Sequence, residues 1–208
     1  MPASRDGELA LRADPDGELA SRADPDGELA SRAQLGDREA FERLVERLLP
    51  RVRAFLHRLS GSRGSPDDLA QETFLVAVRR LRDLREPERV ASWIFGIALH
   101  VHRESARRTR RGAELADVPA AVGRTGAEAD EERAIVNDAV ARLADRLREA
   151  FLLRHVEGLS PAEASLALGV PEGTLRRWDF EARERLREIL KGRGIGGPAT
   201  RPATRIAP

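Results

Sequence analysis

Thr174, Arg176, Arg177 and Arg183 fall close together in a stretch that reads as one helix, and their chemistry is non-covalent. Guanidinium forks and a hydroxyl can grip phosphate oxygens and reach base edges in a groove, so the stretch points to nucleic acid. Nothing in the chain points to bond-making chemistry: no Ser-His-Asp grouping or phosphate-cradling Gly loop stands out, and carboxylates such as Glu149 and Glu163 read as helix-surface residues. There is no Cys, and His57, His100, His102 and His155 lack ligand-like grouping with carboxylates, so neither a catalytic site, a metal nor a cofactor is expected.

The basic helix needs a frame, and the sequence from Glu157 to Arg187 supplies one. Ser160 is placed to cap a first helix, Pro161 fills its first position, and Glu163 completes a capping box. Gly169 ends that helix and Pro171 restarts the chain as a second, basic one. Two short helices across a tight turn read as a helix-turn-helix; a plain helical hairpin with solvated arginines is the bland alternative.

With 208 residues, 41% of them hydrophobic, the chain can build one ordinary domain or two small ones. Aromatics are scarce at 4%, Tyr is absent, and Ala, Leu, Arg and Glu dominate, so an all-α fold of two small helical domains is expected. No run approaches the ~20 apolar residues that span a bilayer, and the acidic N-terminus has no signal-peptide core; a cytoplasmic protein without membrane insertion is expected. The net charge of +1 hides an uneven distribution. Arg103, Arg107, Arg108, Arg110 and Arg111 follow one apolar-periodic helix, and Arg176 to Arg193 carry a second basic cluster, so both are candidate phosphate-facing surfaces.

Residues 1–33 hold a decapeptide repeat, DGELALRADP from Asp6, DGELASRADP from Asp16 and DGELASRAQL from Asp26, too short and polar for its own core and expected to be flexible or weakly helical. From Asp37, Phe41, Leu44, Val45, Leu48, Val52, Phe55, Leu56 and Leu59 recur at helical spacing, with Pro50 a potential kink. Ser65, Pro66, Asp67 and Asp68 start a second helix that runs to about Leu81. A polar loop from Asp83 to Arg89 leads into a third, with Val90, Trp93, Ile94, Ile97, Ala98 and Val101 on one face. The first domain is thus 34–111. Residues 112–129 read as a linker, 130–191 as the helix-turn-helix domain braced by a helix bearing Val136, Val140, Leu143, Leu147, Phe151 and Leu152, and 192–208 as a disordered tail.

The run SPDDLAQETFLVAVRRL, Ser65 to Leu81, followed by VASWIFGIALHVHRESARRTRR, Val90 to Arg111, resembles region 2 of bacterial RNA polymerase sigma factors of the sigma-70 family, in the extracytoplasmic-function group. Val140 to Leu190, with FLLRHVEGLSPAEASLALGVPEGTL at its centre, is similar to region 4 of that group. The resemblance implies a sigma factor that binds core polymerase, directs it to promoters and helps melt the minus-ten element. The implied partners are the β′ clamp helices and β flap of the polymerase, promoter DNA and an anti-sigma factor; the implied location is the cytoplasm, with the nucleoid when bound to polymerase. The rival expectations are a polymerase-independent helix-turn-helix regulator and a polymerase-binding protein that reads no promoter.

Carried onto this chain, the resemblance places Asp68, Gln71 and Glu72 on the clamp helices; at i, i+3 and i+4 they share a face opposite Leu69, Thr73 and Ala77. It places the loop Asp83 to Arg89, and with it Arg85, at a flipped base of the nontemplate strand. Trp93, His100, Arg103, Arg107 and Arg108 follow along the minus-ten DNA, with Trp93 reading more as packing beside Ile94 and Ile97 than as a stacking surface. His100 stands where the family most often has Asn. For the minus-thirty-five element the implied set is Thr174, Arg176, Arg177, Trp178, Asp179 and Arg183. Here the chain departs from the family: Trp178 stands where a basic residue is usual and Asp179 where a buried aliphatic is. A buried, unpaired carboxylate would cost several kcal/mol. Either the helix rotates to bury Trp178 beside Leu175 and Ala182, or Asp179 is paired or exposed; exposed, it would repel phosphate yet could accept from a cytosine amine. Altered promoter specificity is expected, with loss of minus-thirty-five reading the lesser alternative.

Overall fold

The computed structural model describes residues 25–60, 65–113 and 128–192, and among these only helices, turns and short connections occur. The first two repeat copies, most of the linker and the C-terminal tail lie outside the described residues. The third copy is helix α1, Pro25–Gln34, with Gly27 and Ala30 buried against the neighbouring helices. It docks because its small residues let it approach α2, Arg38–Ser60, while Arg47 of α2 bonds Asp26 at 2.5 Å. Asp37 caps α2 by accepting from the Ala40 N–H at 3.0 Å. That bond, with the Arg32 guanidinium at 2.6 Å, holds the Asp37 carboxyl below the usual carboxylate range.

Helix α2 runs unbroken through Pro50, which lies on its exposed side, while Leu44, Leu48, Val52, Phe55 and Leu56 are buried. Helix α3, Pro66–Arg80, starts on Ser65, whose Oγ accepts from the Asp68 N–H at 3.3 Å. A 3-10 turn at Leu81–Asp83 and another at Pro87–Arg89 shape the connection to α4, Val90–Ala113. This connection is less polar than its sequence suggests, since Leu81 and Leu84 are buried. Phe55 and Phe95 meet edge to face at 5.1 Å in the core between α2 and α4.

The second domain differs from the single bracing helix that the sequence predicts. Helix α5, Glu128–Ala141, stops before α6, Asp145–Phe151. Arg148 explains the stop: its guanidinium donates to the Val140, Ala141 and Leu143 carbonyls at 3.3, 2.6 and 2.9 Å, satisfying the C-terminal acceptors of α5. It also reaches the Leu59 carbonyl of the first domain at 3.1 Å. A π-helical turn, Leu152–Val156, follows α6. Helix α7, Pro161–Leu168, carries the full capping box of Ser160 and Glu163, and Gly169 closes it at φ +69°, a left-handed conformation that a side chain would strain. Helix α8, Glu172–Lys191, buries Leu175, Ala182 and Leu186.

The two domains pack on each other. Helix α4 lies along α7, and α2 touches α5 and α6, so one continuous apolar core runs from Leu44 to Leu186. Gly96 permits the approach: a Cβ there would sit 3.3 Å from the Ala167 carbonyl oxygen and 3.4 Å from its Cα. Arg103 of α4 grips Glu149 of α6 through both carboxylate oxygens at 3.0 and 2.5 Å, with the Glu149 side chain only 6% exposed. Arg51 donates to the Glu157 carbonyl at 3.0 Å and pairs with its carboxylate at 3.4 Å. Burial pushes the Glu157 carboxyl up, against the pull of Arg51 and Arg58.

Candidate nucleic-acid interface

A cleft of about 630 Å³ opens where the two domains meet. One wall is the connection between α3 and α4 with the adjoining face of α4; the other is the end of α7, Leu166 to Gly169. Four residues singled out from the sequence for minus-ten DNA, Arg85, Trp93, His100 and Arg103, line this one space. Trp93 is half-buried, packed on the core with one side and facing the cleft with the other, so its two readings do not compete. Arg85 is exposed and makes no ion pair among the described residues. Arg80 and Arg89 also line the cleft but are paired, with Asp83 at 3.4 Å and Glu86 at 2.8 Å.

Arg103 is committed elsewhere in this arrangement. Its hydrogen bonds to Glu149 raise its pKa, keeping the guanidinium firmly charged, and its free surface is reduced accordingly. Arg107 and Arg108 lie on exposed turns of α4 beyond the cleft. Arg107 is unpaired among the described residues, whereas Arg108 stands 3.5 Å from Glu72 of α3. His100 is exposed, with Glu104 at 3.7 Å. His102, beside Arg103 in α4, lies near Glu149 and Asp145 of α6, and burial lowers its pKa.

Asp68 and Gln71 are exposed on α3 and Glu72 is half-exposed, so the three do share an outward face. The same face carries Leu75 and Val78, 55% and 49% exposed. Sequence reasoning missed these two, although Leu75 at i+4 and Val78 at i+7 from Gln71 fall on the same stripe. An acidic and amide-bearing rim beside bare aliphatic surface has the chemistry of a protein contact more than of a phosphate one.

On α8, Arg176 and Arg177 point into solvent and Thr174 is half-buried. Arg176 pairs with Glu172 at 3.3 Å, and Arg177 is unpaired among the described residues. Of the alternatives the sequence leaves open for Asp179, pairing is the one found. It is 9% exposed, His155 Nε2 lies 2.6 Å from one oxygen, and Arg183 lies 3.3 Å from the other. The π-helical turn matters here, because it carries His155, which stacks on Phe151 at 4.8 Å between ring centroids. Asp179 is thus occupied inside the domain together with Arg183. Trp178 is half-buried against the core, but Asp179 keeps the buried position, so the helix has not rotated to exchange the two.

A helical unit with a loop-walled cleft, joined to a helix-turn-helix with an outward arginine pair, defines a two-domain DNA-reading protein. The family model for Sigma-70 region 2 matches residues 44–112, and that for Sigma-70, region 4 matches residues 133–186. The ECF sigma factor SigC of Mycobacterium tuberculosis is 35% identical over 160 residues, covering 73% of this chain and 83% of that protein. The RNA polymerase sigma factor CarQ of Myxococcus xanthus is 31% identical over 160 residues, covering 74% and 91%. Among solved structures, the sigma factor RpoE in complex with the anti-sigma factor NepR from Bartonella quintana aligns with a TM-score of 0.65 at 26% identity, over 73% of this chain and 96% of that one. CnrH in complex with the cytosolic domain of CnrY aligns with a TM-score of 0.61 at 28% identity, over 81% and 98%. The chain belongs to the extracytoplasmic-function group of the sigma-70 family, and it is a sigma factor that directs RNA polymerase to promoters. Among the described residues no helix is long and apolar enough to cross a membrane, and no group of side chains could hold a metal ion.

Proposed function

We propose that this sigma factor divides promoter opening among three surfaces. The α3 face of Asp68, Gln71 and Glu72, extended by Leu75 and Val78, docks on the β′ clamp helices of core polymerase. The cleft bearing Arg85, Trp93 and His100 holds unpaired nontemplate bases of the minus-ten element, and Arg107 and Arg108 track its phosphates. Thr174, Arg176 and Arg177 of α8 read the minus-thirty-five element, while the second domain also meets the β flap. No step makes or breaks a covalent bond, and the protein works in the cytoplasm. The observation that carries this reading is that the α3–α4 connection and one side of α4 bring four minus-ten residues, Arg85, Trp93, His100 and Arg103, to one cleft walled by α7.

The far wall of that cleft is α7, so strand loading requires the two domains to part. Parting would release Arg103 from Glu149 and return it to the DNA-facing series of α4. A partner that masks these surfaces fits the same picture. The similar sigma factor RpoE is in complex with the anti-sigma factor NepR, and the similar CnrH is in complex with the cytosolic domain of CnrY; an anti-sigma factor is the corresponding partner proposed here.

Purified protein added to core polymerase, with runoff transcription scored across a genomic promoter library, tests the reading. Promoter-specific transcripts are expected, and core binding without any transcript would overturn it. Glu72→Lys should weaken core binding by roughly tenfold, the effect of one lost charge pair replaced by repulsion at a protein contact, with an unchanged melting temperature. Unchanged core affinity would remove the α3 face from the assignment.

A further inference from the structure

We propose that Gln34 is a positioning residue for promoter opening: it fixes the shape of the loop that presents Arg85 to the cleft. This rests on the reading of that loop as the element that holds an unpaired base.

Gln34 is the last residue of α1, outside the segment matched to region 2, and it is half-buried. Its Nε2 donates to the Leu81 carbonyl at 2.9 Å and to the Leu84 carbonyl at 2.6 Å. Both partners can only accept, so the amide must turn its NH2 toward them, and its two hydrogens match two acceptors. The two carbonyls bracket the first 3-10 turn, whose own closing bond is the Leu84 N–H to the Leu81 carbonyl at 3.2 Å. The amide therefore pins both ends of the turn from which Arg85 and Glu86 leave. The second turn, Pro87–Arg89, packs on α1 as well. A loop without regular ladder bonds is thus held at both shoulders by one short helix.

The repeat itself sharpens the point. At the place of Gln34, the first copy has Asp14 and the second has Asp24. A carboxylate is an acceptor only, and aspartate is one methylene shorter, so neither could bridge two carbonyls. The third copy differs from the others where the loop needs a donor. In the third copy Gln34 couples the docking of α1 to the geometry of the cleft.

The alternative is that Gln34 merely anchors α1. Gln34→Glu is nearly isosteric and replaces the donor with a charged acceptor; Gln34→Met keeps the volume with no polar group. Each variant is combined with core polymerase and scored on a matched pair of promoters differing at one minus-ten base, beside core affinity and melting temperature. The expected result is a loss of minus-ten discrimination of roughly tenfold for Gln34→Glu, and a smaller loss for Gln34→Met, with core affinity unchanged. A uniform fall on both promoters, or a fall in core affinity, would mean anchoring alone and would overturn the inference. Arg85→Ala serves as the control. If it reduces discrimination while both Gln34 variants leave it intact, the positioning role fails and the loop assignment stands. If Arg85→Ala leaves discrimination intact too, the loop assignment fails and the inference falls with it.

Discussion

Asp179 and Arg177 sit two positions apart on α8 and have opposite fates. The carboxylate faces inward to His155 and Arg183, whereas the guanidinium of Arg177 faces solvent without an ion pair among the described residues. A buried carboxylate with an imidazole nitrogen at 2.6 Å and a guanidinium at 3.3 Å is not left unpaired, and it holds the π-helical turn against α8. Asp179→Asn should therefore lower the melting temperature by a few degrees, about 1 kcal/mol for a weakened charged hydrogen bond, and leave minus-thirty-five preference unchanged in a promoter-variant assay. Arg177→Ala should do the reverse: stability holds, while DNA affinity falls and the slope of log affinity against log salt becomes shallower by about one. The type of residue 179 was legible in the sequence, and so was the demand for a partner. The identity of that partner was not, because His155 lies on another element and reaches Asp179 only through the π-helical turn.

Helix ends were the most legible elements, since caps depend on a few adjacent residues: Ser65, Ser160, Glu163 and Gly169 perform their local tasks where their spacing places them. The split between α5 and α6 was illegible, because apolar spacing continues through it and the terminating group, Arg148, folds back from a later turn. Gly96 is a similar case. Within α4 it looks like a weak point, and its use appears only when α7 arrives at contact distance. Gly96→Val should keep or raise the helicity of α4, because Gly is the poorer helix former by several tenths of a kcal/mol or more. Its side chain would nonetheless push α7 away. Small-angle scattering should then show a larger radius of gyration than wild type, with far-ultraviolet circular dichroism unchanged; an unchanged radius would mean that the α4–α7 contact yields to the added volume.

The two domains share an apolar core, and the contact between them also carries charged pairs that are costly to bury and easy to solvate. An ion pair such as Arg103–Glu149 adds less to stability than an apolar pair of the same shape, but it fixes the register of the two domains and can separate into water. His102 adds a pH dependence. Burial lowers its pKa below the ordinary 6.5, against the raising influence of Glu149 and Asp145 and with Arg148 and Arg103 also near. When the pH falls below 6.5, the unfolded chain takes up a proton that the folded chain refuses, so stability is present above that value and declines beneath it. Thermal melts from neutral pH downward should show this decline, and His102→Gln should flatten it. A melting temperature with the same acid limb in the variant would assign the limb to other groups.

The sequence by itself determined the all-helical class, the two-domain order, the caps, and the kinds of residue available to meet polymerase and DNA. These follow from helical periodicity and from neighbours a few positions apart, which a chain carries whatever its tertiary arrangement. Only the tertiary structure decided how those residues are used. It gathered Arg85, Trp93 and His100 around one cleft, diverted Arg103 to Glu149, and gave Asp179 its histidine. It also turned the last copy of an acidic repeat into the helix that braces the cleft's loop. Trp93, His100 and Arg103 reach one side of α4 by local spacing, but the far wall of the cleft on α7, the Arg103–Glu149 and His155–Asp179 pairs and the Gln34 bonds join distant parts of the chain, set by which helix faces pack and how closely.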